Sequence, residues 1–113
     1  MRRIVELIDS LPYSDLIAVQ DGGIAEAARL AAAAHDAAYA EWREAGQPYT
    51  ANDTDGEHPH MRLRTAEIRH RRIARLAAAA AEADAEAVEA AIKASLEERR
   101  DLWRRYPPYK RAE

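Results

Sequence analysis

The chain has 113 residues, enough for one domain at most, and its 17 lysines and arginines against 20 aspartates and glutamates give a formal charge of −3. Lacking cysteine, it has no disulfide, no thiolate metal site and no thiol nucleophile. It also has no run of about eighteen apolar residues to span a membrane, and the start Met1-Arg2-Arg3 lacks the apolar segment of a signal peptide, so a cytoplasmic or virion location is expected.

Alanine fills 27 positions, phenylalanine none, and glycine only 4. With abundant Glu, Arg and Leu, this is the composition of long helices and coiled coils. Burial is worth about 25 cal/mol per Å², and an alanine methyl has little area to bury. The core expected of one such chain is therefore thin, which favours close helix contacts or burial against other chains. The same usage points to a high-GC bacterium or its phage.

Ile4, Val5, Ile8 and Leu11 lie at helical spacing, predicting a short helix over 1–11. Pro12 suits the first turn of the next helix, with Ser10 or Ser14 as its cap. That helix is predicted over 13–46, broken or kinked near 22–23, because each glycine of Gly22-Gly23 costs about 1 kcal/mol in a helix interior. Beyond the break, Ile24, Ala27, Ala28, Ala31, Ala34, Ala38 and Trp42 mark one side. Gly46 is the natural C-cap, with Pro48 just after it. Residues 47–60 form a loop longer than a helix–helix connection needs, and with Tyr49, three acids and two histidines it is a candidate contact site.

Met61 to Tyr106 contains neither proline nor glycine and reads as one helix, roughly 65–70 Å long at 1.5 Å per residue. Its apolar side passes through Ile68, Ile73, Leu76, Ala80, Ala83, Ala87, Ala91 and Leu96 to Leu102 and Trp103. Pro107-Pro108 closes it, leaving 107–113 as a tail. Two long helices joined by a loop fold back on each other, here with Ala27–Ala38 against Ala77–Ala87. In that register Arg62–Arg75 lies beside Asp36, Glu41 and Glu44. Glu82, Asp84, Glu86 and Glu89 face Arg29, and Arg99–Arg105 returns toward Asp9, Asp15 and Asp21. The expected fold is thus all-α: one domain, an elongated antiparallel helical hairpin with a short N-terminal helix, completed by homo-oligomerisation or a protein partner.

Catalytic chemistry is sparse. Asp53, Asp55, Glu57, His58 and His60 resemble a metal cluster in composition. An EF-hand alignment on Gly56 nevertheless puts Ala51 at the first ligand and Arg62 at the bidentate one. Glu67-x-x-His70 has the spacing of half a di-iron motif, without the second pair. His35, among alanines, reads as a structural histidine. Asn52-Asp53-Thr54 spells a glycosylation sequon, and Leu11–Leu30 is the one stretch where a helix-turn-helix would fit. No catalytic residue, cofactor or metal ligand is assigned, and a non-enzymatic protein is expected.

Two contact surfaces are expected instead. The leading expectation is an assembly or adaptor subunit, such as a virion head–tail or packaging component, meeting its partner through Leu76, Ala80, Ala87, Leu96, Leu102 and Trp103. The alternative is a nucleic-acid-binding helical protein of the phage small terminase kind, using Arg62, Arg64, Arg69, Arg71, Arg72 and Arg75. A third expectation comes from Trp42, Gly46 and the closing Tyr109-x-x-x-Glu113. These resemble the WXG100 family of type VII secretion substrates, small helical hairpins with a Trp-x-Gly turn and a Tyr-x-x-x-Asp/Glu tail. Here the glycine comes two places later, the loop is longer, and Pro107-Pro108 precedes the tail.

Overall fold

The computed structural model describes residues 1–106, and these are all-helical, without strands. Five helices follow in order: α1 (Arg2–Asp9), α2 (Tyr13–Gly22), α3 (Ile24–Glu44), α4 (Pro59–Ala80) and α5 (Ala85–Arg105). The Pro107-Pro108 stop, the tail and the Tyr109-x-x-x-Glu113 motif lie outside the described residues.

The amino-terminal elements follow the apolar spacing closely. Ile4, Ile8 and Leu11 are buried, while Val5, expected beside them, is exposed. Pro12 is the N-cap of α2 without a side-chain cap bond, so neither Ser10 nor Ser14 caps it. The glycine break is sharp: Gly22 ends α2, and Gly23 turns the chain at φ 87° and ψ 159°. That region of backbone space is open essentially to glycine alone.

At the far end of α3 the amide of Gly46 donates to the Arg43 carbonyl and that of Gln47 to the Trp42 carbonyl, at 3.0 and 2.9 Å. This is a Schellman closure, with Gly46 at φ 88° supplying the left-handed residue. The loop that follows is held at both ends. The Trp42 indole donates to the Pro48 carbonyl at 2.8 Å, and His60 Nδ1 lies 3.0 Å from the Thr50 carbonyl. His58 Nδ1 caps α4 by accepting the His60 amide, and Pro59 takes the first position, where its missing N–H costs nothing.

The single rod expected over 61–106 is two helices. Residues 81–84 leave the helix, and Asp84 starts α5 afresh, its Oδ2 accepting the Ala87 amide at 3.3 Å. The alanines around the break favour a helix but bury little that would hold it straight. Breaking there turns Val88, Ile92 and Leu96 back onto α1 and α2, where they are buried. Burial of those larger side chains outweighs the lost helical turn.

One cluster forms the core: Ile4, Ile8 and Leu11 with Leu16 and Val19 of α2, Ala27 and Ala31 of α3, Ile73 and Leu76 of α4, and Val88, Ile92 and Leu96 of α5. Within this one chain, twelve buried side chains already form a continuous core. The volume the alanines lack comes from α1 and α2, which close over the alanine-lined helices.

The α3–α4 hairpin is antiparallel as expected, but in a different register. His35 meets Glu67 and His70, and Arg62 pairs with Glu41, so Ala38 lies toward the start of α4 and not against Ala77–Ala87. Other charges also find partners closer by. Arg29 bonds Glu26 on its own helix at 2.9 Å, holding that carboxyl below its ordinary pKa, and does not meet the acidic 82–89 segment. The molecule measures 48 × 45 × 21 Å with a radius of gyration of 16.5 Å. A compact domain of this length would have about 13 Å. The outline is a flat plate, shorter than the expected rod.

Candidate functional site

Of the six candidate arginines, two are occupied inside the molecule. Arg69 Nε donates to the buried Asp15 carboxylate at 2.9 Å, joining α4 to the first turn of α2. Arg62 pairs with Glu41 of α3 and, at 3.4 Å, with Glu57 of the loop. Both project from the side of α4 that carries Ile73 and Leu76, and they act as struts. The other four, Arg64, Arg71, Arg72 and Arg75, are exposed, and none is in an ion pair with another described residue. At 100° per residue, Arg64, Arg71 and Arg75 fall within about 40° of one another, with Arg72 at their edge. They make a ridge on the outer side of α4, opposite the core.

Beside this ridge runs a line of rings that sequence reasoning missed. His70 of α4 stacks on His35 of α3 with centroids 5.6 Å apart. His35 stacks on Tyr39 at 6.4 Å, and Tyr39 tilts against Trp42 at 5.9 Å. The α3 members recur every three or four residues, so they share one side of that helix. Arg43 covers Tyr39, its guanidinium 5.9 Å from the ring centre. His35 and His70 of this line and Arg71 and Arg75 of the ridge border one open cleft, together with Glu67, Ala74 and Ala78. Two carboxylates attend it: Glu67, whose Oε1 is 4.0 Å from His35 Nε2, and Asp36, 3.3 Å from His35 Nδ1. Glu67 and His70, the half di-iron pair, thus join His35. Among the described residues, however, no three His, Asp or Glu side chains converge to hold a metal ion.

The expected partner interface divides. Leu76 and Leu96 are 0% and 1% exposed in this chain's own core, and Ala80 and Ala87 are partly buried, so none offers a free face. At the end of α5 the apolar side outruns its cover. Trp103 meets Tyr13 edge-on at 4.4 Å yet remains 38% exposed, followed by Leu102 at 47% and Tyr106 at 74%. One turn earlier, Arg99 donates to the carbonyls of Ile8, Asp9 and Leu11 at 3.1, 3.1 and 2.7 Å, and Ser95 bonds Asp9. Those bonds fix the α1 terminus against α5 and mark where the covered part of α5 stops.

No helix of the described residues is long and apolar enough to cross a membrane. Comparison with protein families, with curated proteins and with solved structures returns no match for this chain.

Proposed function

We propose that the chain is a non-enzymatic assembly subunit acting through protein–protein contact, and that the end of α5 meets a second copy of itself. The observation that carries this reading is the apolar end Leu102, Trp103 and Tyr106, left exposed by the described residues beyond the point where Arg99 ties down α1. The charges around it are self-complementary in sequence. Glu97, Glu98 and Asp101 precede Leu102 and Trp103, and Arg104 and Arg105 follow those two, with Arg105 also pairing Asp101 of its own helix at 3.1 Å. Two such ends laid antiparallel about a twofold axis set the acids of each copy against the arginines of the other. Within that class, the size and the Ala, Glu and Arg usage fit a bacterial or phage assembly component, a reading that rests on sequence alone.

Light scattering coupled to size-exclusion chromatography, over a range of loading concentrations, tests the contact. The expected result is a concentration-dependent dimer that Leu102→Asp combined with Trp103→Ala returns to monomer with helicity retained. A monomer at every concentration, or a dimer indifferent to that variant, would contradict it.

A further inference from the structure

We propose that the cleft between α3 and α4 binds single-stranded nucleic acid, with phosphates along Arg64, Arg71 and Arg75 and bases against His35, His70 and Tyr39. The surface is separate from the α5 end and adds a second class of partner. Two independent features meet there. One is the arginine ridge, whose members have no carboxylate partner among the described residues. Arg71 and Arg75 stand one turn apart, about 6 Å along the axis, and Arg64 stands two turns before Arg71. Guanidinium groups at such intervals on a straight support bind successive anionic groups by paired hydrogen bonds.

The second feature decides which polyanion. An acidic protein would satisfy the arginines but would have no use for a line of stacked rings beside them. The paired bases of a duplex are hidden from rings at its edge. A single strand offers both a charged backbone and free base faces, and base–aromatic stacking tolerates any sequence. Tyr39 is 41% exposed and continues the His70–His35 stack along α3, with the Arg43 guanidinium over its ring adding a further cation. Glu67 and Asp36 beside His35 oppose a phosphate and limit the affinity of the native cleft.

Fluorescence anisotropy with labelled single-stranded DNA and RNA oligonucleotides, titrated across salt concentration, tests the proposal. Binding is expected at low salt, with log K falling against log salt at a slope of about −2 for three neutralised phosphates. Arg71→Glu combined with Arg75→Glu is expected to remove most of the binding and flatten the slope. Tyr39→Ala is expected to weaken binding about tenfold, while Glu67→Gln tightens it. Arg3→Glu, on the exposed side of α1, is expected to leave binding unchanged. Circular dichroism checks that each variant keeps its helicity. Whether DNA or RNA binds more tightly identifies the strand. The proposal is overturned by absence of binding at low salt, or by binding that the ridge variant leaves intact. Duplex binding as tight as single-strand binding and indifferent to Tyr39→Ala, or preference for polyglutamate over either oligonucleotide, would overturn it equally.

Discussion

Gly22 and Gly23 are adjacent, yet substitution at each should have opposite consequences. Gly22 closes α2, and a methyl group there would make ordinary contact with Glu26 Cγ at 3.5 Å. Gly23 has open space around its α-carbon but sits at φ 87°, where an L side chain is strained. Gly23→Ala is therefore expected to lower stability by about 1–3 kcal/mol, in thermal or urea unfolding. Gly22→Ala is expected to be neutral or stabilising by up to about 1 kcal/mol, because an unfolded chain with alanine there has less freedom to lose than one with glycine. Equal losses at both would contradict the turn geometry. The same scale shows what was legible in the candidate site. Arg62 and Arg69, seven residues apart, fall on the side of Ile73 and Leu76, whereas Arg64, Arg71 and Arg75 fall on another. Helical spacing alone therefore separates struts from ridge. The stack of His70 on His35 was not legible, because it joins two helices in a register that no local pattern encodes.

Among the elements, those announced by local chemistry lie where the sequence puts them. The apolar spacing of α1, the break at Gly22-Gly23 and the Gly46 closure each rest on a residue whose backbone or side chain allows few alternatives. The exception is the break at 81–84. Alanine has the highest helix propensity, and the segment from Ala77 to Ala81 is unbroken alanine. The opposing local signal is Asp84, a good N-cap residue in a run of good helix formers. What decides is tertiary: a straight helix would carry Val88, Ile92 and Leu96 away from Ile4, Ile8 and Leu16. Asp84→Ala removes the cap and adds helix propensity at the break. It is expected to lower the urea midpoint, by about 1 kcal/mol of stability, with the slope unchanged. Asp84→Asn, which keeps a side-chain oxygen, is expected to avoid most of that loss. Unaltered stability in Asp84→Ala would mean that the cap contributes nothing to starting α5.

For the whole molecule, two alanine-lined helices alone have little apolar area to bury. Within this chain the larger side chains come in good part from the first nineteen residues. Those contribute Ile4, Ile8, Leu11, Leu16 and Val19, all nearly sealed from solvent. The charge pattern holds at both ends of the long stretch, where Arg62 meets Glu41 and Arg99 meets the Asp9 end of α1, and fails in the middle, where Arg29 bonds Glu26. Exposed ion pairs are worth at most about 1 kcal/mol, far less than burying the apolar side of α5, so packing sets the register. Arginines then take nearby partners, as Arg69 does with Asp15 and Arg99 with the end of α1. The central claim is that one chain closes its core by folding its longest helical stretch in two. Small-angle X-ray scattering, extrapolated to dilution where the chain is monomeric, measures it most directly. The expected result is a radius of gyration near the 16.5 Å of the folded plate. A rod-like profile with a radius of gyration of about 19 Å or more, that of an unbroken helix roughly 65–70 Å long, would contradict it.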